Sequence, residues 1–257
     1  MPRPRSLVLR APGTNCDEET ALAWERAGAE VETWHIGRML EAPESLDLFQ
    51  VLTLPGGFSY GDDLGAGRIL ATRLGVLGDA LRRFHDRGGL ILGICNGFQV
   101  LVKAGLLPGG PEAPRSTITH NDSGQFEARW VRLASTPGKS PFVPNDEPIE
   151  LPVAHGEGKF LTPRMADLNT LEQGGQILLR YANAEGRPTQ KYPDNPNGSD
   201  FALAGLCDPT GRIFGLMPHP ERYIAPLQHP RWTRLGPRDE GDGLRLFRGA
   251  VEAIRSS

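Results

Sequence analysis

The chain has 257 residues, 39% hydrophobic and 23% charged, a balance that suits a soluble globular fold with a sizeable core. Its formal net charge of -3 and sequence pI near 6.1 leave no domain-wide basic surface to grip a polyanion, which argues against a nucleic-acid partner. No apolar run approaches membrane-spanning length, and the start Met1-Pro2-Arg3-Pro4-Arg5 has no signal-peptide core behind it.

Strand-like and helix-like patterns alternate through the first hundred residues. Residues 6–10 read as a strand, and Asn15-Cys16-Asp17-Glu18 as a helix start with a capping side chain and a carboxylate three residues on. Gly28 stops that helix, residues 31–36 form a second strand, and residues 50–54 form a third that breaks at Pro55-Gly56-Gly57. Leu70, Leu74, Leu77, Leu81 and Phe84 then trace the apolar stripe of one long helix, ended by Gly88-Gly89. Residues 90–95 follow as a buried strand. This alternation predicts an α/β fold: a central, mostly parallel sheet with helices on both faces, and functional loops at the carboxyl ends of its strands. From about residue 108 to 161 proline and glycine rise, and residues 126–133 and 149–154 read as strands of a small antiparallel extension. Residues 176–181 and 202–207 add strands, the turn Asp208-Pro209-Thr210-Gly211 joins the latter to 212–217 as a hairpin, and Leu244, Phe247, Val251 and Ile254 share a face of the last helix. With no internal repeat or low-complexity tract, a single domain over 1–257 is the economical reading.

The three cysteines, Cys16, Cys95 and Cys207, are far apart and form no C-x-x-C pair, which supports neither a disulfide framework nor a zinc knuckle and suits a reducing cytoplasm. Cys95 stands out. In Gly93-Ile94-Cys95-Asn96-Gly97 it joins an apolar strand to a helix, and the flanking glycines leave room for a sharp turn, as in a nucleophile elbow with cysteine for serine. A thiol at a helix N-terminus can have its pKa lowered from about 8.5 to roughly 3.5–7.5. Its ordinary alternative is a small buried hydrophobe. A thiol also needs a base. In Met217-Pro218-His219-Pro220-Glu221 the prolines hold Met217 and His219 extended, so that His219 and Glu221, two apart, face one side as base and orienting carboxylate. The alternatives are a solvated turn or a metal pair, and no further ligand stands at metal spacing. The Pro55-Gly56-Gly57 turn is a natural source of donors for a tetrahedral oxyanion, with the N–H of Asn96 as its partner, although such a turn taken alone is more often an ordinary one.

Together Gly93 to Gln99, the Gly56-Gly57 loop and His219-x-Glu221 resemble the class I (triad) glutamine amidotransferases. The blocks Gly13-Thr14-Asn15-Cys16-Asp17, Pro55-Gly56-Gly57-Phe58-Ser59-Tyr60-Gly61-Asp62, His155-Gly156-Glu157-Gly158-Lys159-Phe160, Asn195-Pro196-Asn197-Gly198-Ser199 and Gly215 to Arg222 resemble the glutaminase-subunit family of phosphoribosylformylglycinamidine synthase. The resemblance implies a flavodoxin-like fold, Cys95, His219 and Glu221 as the catalytic set, Gly57 and Asn96 at the oxyanion, and Gln99 beside bound glutamine. It also implies a large synthetase subunit as partner, a small accessory subunit, and weak activity of the chain alone. ATP and magnesium are expected on the synthetase, and no metal or cofactor on this chain, which has no G-x-x-x-x-G-K-[ST] run. Another thiol acyl hydrolase, or a non-enzymatic module docking through His155, Glu157 and Lys159, are the competing readings. Gly65 stands where many members carry arginine, Cys207 matches no block and reads as a buried small residue, and the proline-rich stretch 225–237 has no counterpart.

Overall fold

The computed structural model describes residues 2–110, 115–143, 145–236 and 238–256; Pro237, the last residue of the proline-rich stretch, lies outside them. The first half runs β1 (Arg5–Arg10), α1 (Asp17–Ala27), β2 (Glu30–His35), α2 (Ile36–Glu41), β3 (Val51–Leu54), α3 (Arg68–Gly75), α4 (Gly78–Asp86), β4 (Leu90–Ile94) and α5 (Asn96–Lys103). The second half adds β5 (Thr117–Thr119), β6 (Glu127–Ser135), β7 (Ile149–His155), β8 (Lys159–Leu161), α6 (Met165–Gln173), β9 (Ile177–Ala182), β10 (Leu203–Cys207), β11 (Ile213–Leu216), α7 (Trp232–Leu235) and α8 (Leu244–Ser256).

One nine-stranded sheet carries the order β2-β1-β3-β4-β11-β10-β9-β6-β7. The first five strands are parallel, and the rest continue the same sheet antiparallel. A separate antiparallel ladder pairs β5 with β8. The expected fold class holds, and its antiparallel extension is four strands wide. Burial explains the composition. Every residue of β3 and β4 is buried, as a central strand covered on both faces requires, whereas β7 alternates buried and half-buried positions. The crossover from β1 to β2 runs opposite to that from β3 to β4, so right-handed connections set their helices on opposite faces. α8 joins α1 on one face, where Trp24 meets Phe247 edge to face at 5.0 Å, while α3 and α5 pack together on the other.

Two local expectations are corrected. The apolar stripe Leu70, Leu74, Leu77, Leu81 and Phe84 is buried along its length, yet it lies on two helices rather than one. Gly75 and Gly78, poor helix formers by about 1 kcal/mol each, flank a tight turn in which Leu77 N–H donates to Leu74 C=O at 2.9 Å. The helix start at Asn15 has no side-chain cap, because Asn15 Oδ1 accepts from the Cys16 thiol instead. Asp17, Glu18 and Glu19 still complement the dipole of that first turn. The hairpin of β10 and β11 forms as expected, with Asp208 Oδ1 accepting from Ile213 N–H at 2.9 Å. Among the described residues no helix is long and apolar enough to cross a membrane.

Candidate active site

Since β1, β3, β4 and β11 are parallel, their carboxyl ends share one edge. The loops leaving that edge carry Cys16, Gly57, Cys95 and His219. Cys95 takes φ 50° and ψ -104°, left of the region a residue with a Cβ favours. Its N–H is tied to Leu216 C=O of β11 at 2.8 Å, and its C=O accepts the first α5 bond, from Gln99 N–H at 3.1 Å. The sharp turn needs Gly97: a Cβ there would stand 1.8 Å from Leu54 C=O, so α5 lies against the end of β3 only because the side chain is missing. The elbow read from the sequence is therefore present. Cys95 is nonetheless 5% exposed, its sulfur 3.7 Å from the carbonyl of Ala154.

His219 Nδ1 and Glu221 Oε1 lie 2.6 Å apart, both residues buried. A carboxylate only accepts, so Nδ1 carries the proton and Nε2 is left as the working nitrogen. Nε2 has no hydrogen-bond partner among the described residues, nor has Glu221 Oε2. Burial alone would push the His219 pKa down. The charges of Glu221 and then Cys95 outweigh it, holding the imidazolium well above the ordinary histidine range. The pairing is as expected but its route differs: His219 is extended, while residues Pro220–Arg222 form a 3-10 turn that brings Glu221 to the ring.

Sequence spacing missed Cys16. It arrives from 203 positions away, with its sulfur 4.0 Å from His219 Nδ1, so that Cys16, His219 and Glu221 offer ligand atoms within 4.8 Å of one another. Arg222 Nη2 donates to the same sulfur at 3.1 Å, a fixed positive charge that disfavours a cation there. Its one advance sign was membership of the block Gly13 to Asp17. That block also straps the Gly56-Gly57 turn, for Asn15 and Cys16 N–H both face Gly56 C=O at 3.4 and 3.3 Å. Gly57 has φ +141°, and a Cβ on it would meet Asn15 N and Gly13 O at 2.8 Å. The N–H groups of Gly57 and Asn96 make no hydrogen bond among the described residues.

Cys95, Gly57, Gln99, Asp62, Glu157 and His155 line a cavity of about 190 Å3. That is below the roughly 300–1,000 Å3 typical of sites for drug-sized ligands, and suits a single small metabolite. Phe58 and Phe126, each about half exposed, stack at 6.4 Å on its rim. Gln99 is buried beside the thiol, its Oε1 accepting from Asn96 Nδ2 at 2.9 Å and its Nε2 donating to Glu157 C=O at 2.5 Å. His155, Gly156 and Glu157 of the His155–Phe160 block are thus part of the cavity wall, and His155 is buried there rather than offered to a partner. Cys207 is fully buried, and burial pushes its thiol up to about 12, as befits a packing residue.

Asn121 fixes the His155 tautomer. Its Nδ2 donates to Gln125 and His155 carbonyls at 2.8 Å each, so its Oδ1 must accept, from Gly158 N–H at 3.0 Å and His155 Nδ1 at 3.1 Å. Nε2 is left a buried lone pair without a partner among the described residues. Burial, then the charge of His219, pushes the His155 pKa from 6.5 down to about 3. The unfolded chain therefore binds a proton that the fold refuses as pH drops from about 6.5 towards 3, and stability falls over that window. Between pH 7 and pH 5 this one group accounts for about 2 kcal/mol. Urea unfolding at both pH values should show His155→Asn losing that much less stability than the native chain; equal losses would contradict the assignment.

The model of the CobB/CobQ-like glutamine amidotransferase domain matches residues 3–253, which makes the chain a glutamine amidotransferase by family. A relative from Dehalococcoides mccartyi, phosphoribosylformylglycinamidine synthase subunit PurQ, is 48% identical over 259 residues, 99% of each chain. The protein of the same name from Thermus thermophilus is 38% identical over 255 residues, covering 97% of this chain and 99% of its own. The solved structure of PurLQS from Thermotoga maritima matches with a TM-score of 0.75 at 31% identity, covering 98% of this chain and 100% of that one. The chain belongs to the PurQ family, and the resemblance read from its blocks is borne out.

Proposed function

We propose that the chain is the glutaminase subunit of a phosphoribosylformylglycinamidine synthase, with Cys95 as nucleophile, His219 as base and acid, and Glu221 as orienter. The observation that carries this reading is the buried Nδ1–H to Oε1 contact of 2.6 Å, which leaves His219 Nε2 free beside a thiol on a strained elbow. His219 Nε2 takes the Cys95 proton as sulfur attacks the side-chain carboxamide carbon of glutamine. The N–H groups of Gly57 and Asn96 hold the oxyanion, each worth about 2.7–4 kcal/mol. Collapse breaks the C–N bond, the imidazolium returns its proton to the leaving nitrogen, and ammonia departs from a glutamyl thioester. Water, deprotonated by His219, then cleaves the thioester to glutamate and restores the thiol. Gln99 positions the Glu157 loop against Asn96 rather than serving chiefly as a substrate ligand.

Ammonia passes to a large synthetase subunit, which binds ATP and magnesium and converts formylglycinamide ribonucleotide to its amidine. A small accessory subunit joins the complex in the cytoplasm. The name PurLQS of the similar assembly supports the subunit arrangement. The test is to purify the chain with its synthetase and compare nitrogen donors. Glutamine and ammonium should both support synthesis with the chain present, and ammonium alone without it. Glutamine use by the synthetase lacking the chain would overturn the reading.

A further inference from the structure

Glu221 holds its histidine through a single contact. The carboxylate is fully buried, and among the described residues its hydrogen bond is the 2.6 Å contact of Oε1 with His219 Nδ1, while Oε2 has no partner. The next residue is an arginine. A guanidinium presents a planar fork of N–H donors that matches a carboxylate, and such two-point pairs are among the strong hydrogen-bonded contacts in proteins. A fork of Arg222 on Glu221 would compete with the imidazole for its orienter. Among the described residues no such pair forms. Arg222 Nε donates instead to Glu19 Oε1 of α1 at 2.9 Å, and Nη2 donates to the Cys16 sulfur at 3.1 Å.

A buried thiol is commonly a packing group and nothing more. Cys16 is placed for a further part. Its S–H donates to Asn15 Oδ1 at 3.1 Å, which leaves the sulfur lone pairs to the guanidinium. Its N–H faces Gly56 C=O at 3.3 Å, so the buried sulfur is fixed beside the ring. That sulfur stands 4.0 Å from His219 Nδ1 and within 4.8 Å of a Glu221 oxygen. A guanidinium released by the thiol therefore has a short reach to the open Oε2. The two tethers on Arg222 are unequal. The side chains of the Glu19 pair are 36% and 38% exposed, where water screens the attraction, whereas the thiol grips the inner end of the fork.

We infer that Cys16 is a positioning residue for the reaction: it holds the Arg222 guanidinium off Glu221, so that the carboxylate stays with His219. This deepens the glutaminase reading and rests on it. In the synthetase complex, Cys16→Ala should lower kcat for ammonia release from glutamine about 10–100-fold, with KM changed less than about threefold, because the carboxylate serves the base and not substrate binding. Ammonium-dependent synthesis, read alongside, reports that the complex is intact. Cys16→Ser keeps an acceptor for Nη2 and should stay within about threefold of the native kcat. The deciding readout is rescue from a second site. Arg222→Met removes the competing fork and keeps the apolar stem, so adding it to Cys16→Ala should raise kcat by about tenfold. A sulfur that only packs predicts no recovery. Should Cys16→Ala fail to fold, Cys16→Val, which fills the space and lacks the acceptor, carries the same comparison. No recovery on adding Arg222→Met, native turnover in the Cys16 variants, or a loss confined to KM overturns the inference. No ammonia release from glutamine by the native complex would instead remove the glutaminase reading itself.

Discussion

Cys95→Ala is expected to lower glutamine-dependent synthesis by the synthetase complex about 10^4-fold or more, while ammonium-dependent synthesis stays within about twofold. The size follows from the chemistry. Without sulfur there is no thioester, and the remaining oxyanion donors and binding contacts cannot supply a nucleophile. The selectivity follows from the architecture, since Cys95 is buried at the edge of the parallel strands and takes no part in the synthetase chemistry. The fold should tolerate the change, because alanine keeps the Cβ that the elbow already accommodates at φ 50°. Comparing both nitrogen donors at matched complex concentration measures it. A fall in both would mean that the substitution breaks the complex rather than the glutaminase.

Glu221→Gln should cost about 10^3–10^4-fold in glutamine turnover with little change in KM. A glutamine side chain at this position can donate to Nδ1, which would place the ring proton on Nε2 and leave no base facing Cys95. The variant also removes the largest of the opposing influences that raise the His219 pKa against burial. In the native chain that raised pKa contributes stability which is fully present below about 6.5, the ordinary histidine value, and is lost as pH rises through the folded value. The variant should lose this dependence, so its urea unfolding free energy should fall less than that of the native chain above pH 6.5. A native-like turnover in Glu221→Gln would show that the carboxylate only packs.

How much was legible in advance depended on how local the cause was. The elbow at Cys95 was readable because a strand, two glycines and a helix in nine residues admit few geometries, and Gly97 proves to sit hard against β3. The His219 and Glu221 pair was readable for a similar reason, although a 3-10 turn rather than an extended segment brings them together. The break between α3 and α4 was not, because an apolar stripe reports which face is buried and says little about where the backbone tightens. Cys16 was invisible as a neighbour of His219, since the contact spans 203 positions and exists only once β1 and β11 lie in one parallel sheet. The His155 tautomer depended on Asn121, 34 positions away. Motif blocks marked these residues as belonging together, while tertiary contacts assigned them their parts.

The account stands on Cys95 being the thiol that attacks a glutamine carboxamide, and mass spectrometry after treatment with diazo-oxo-norleucine tests that most directly. The chain in complex with its synthetase should take up one adduct, on the peptide carrying Cys95, with Cys16 and Cys207 unmodified and with glutamine protecting. An adduct on Cys16, or none at all in a complex that uses glutamine, would contradict it.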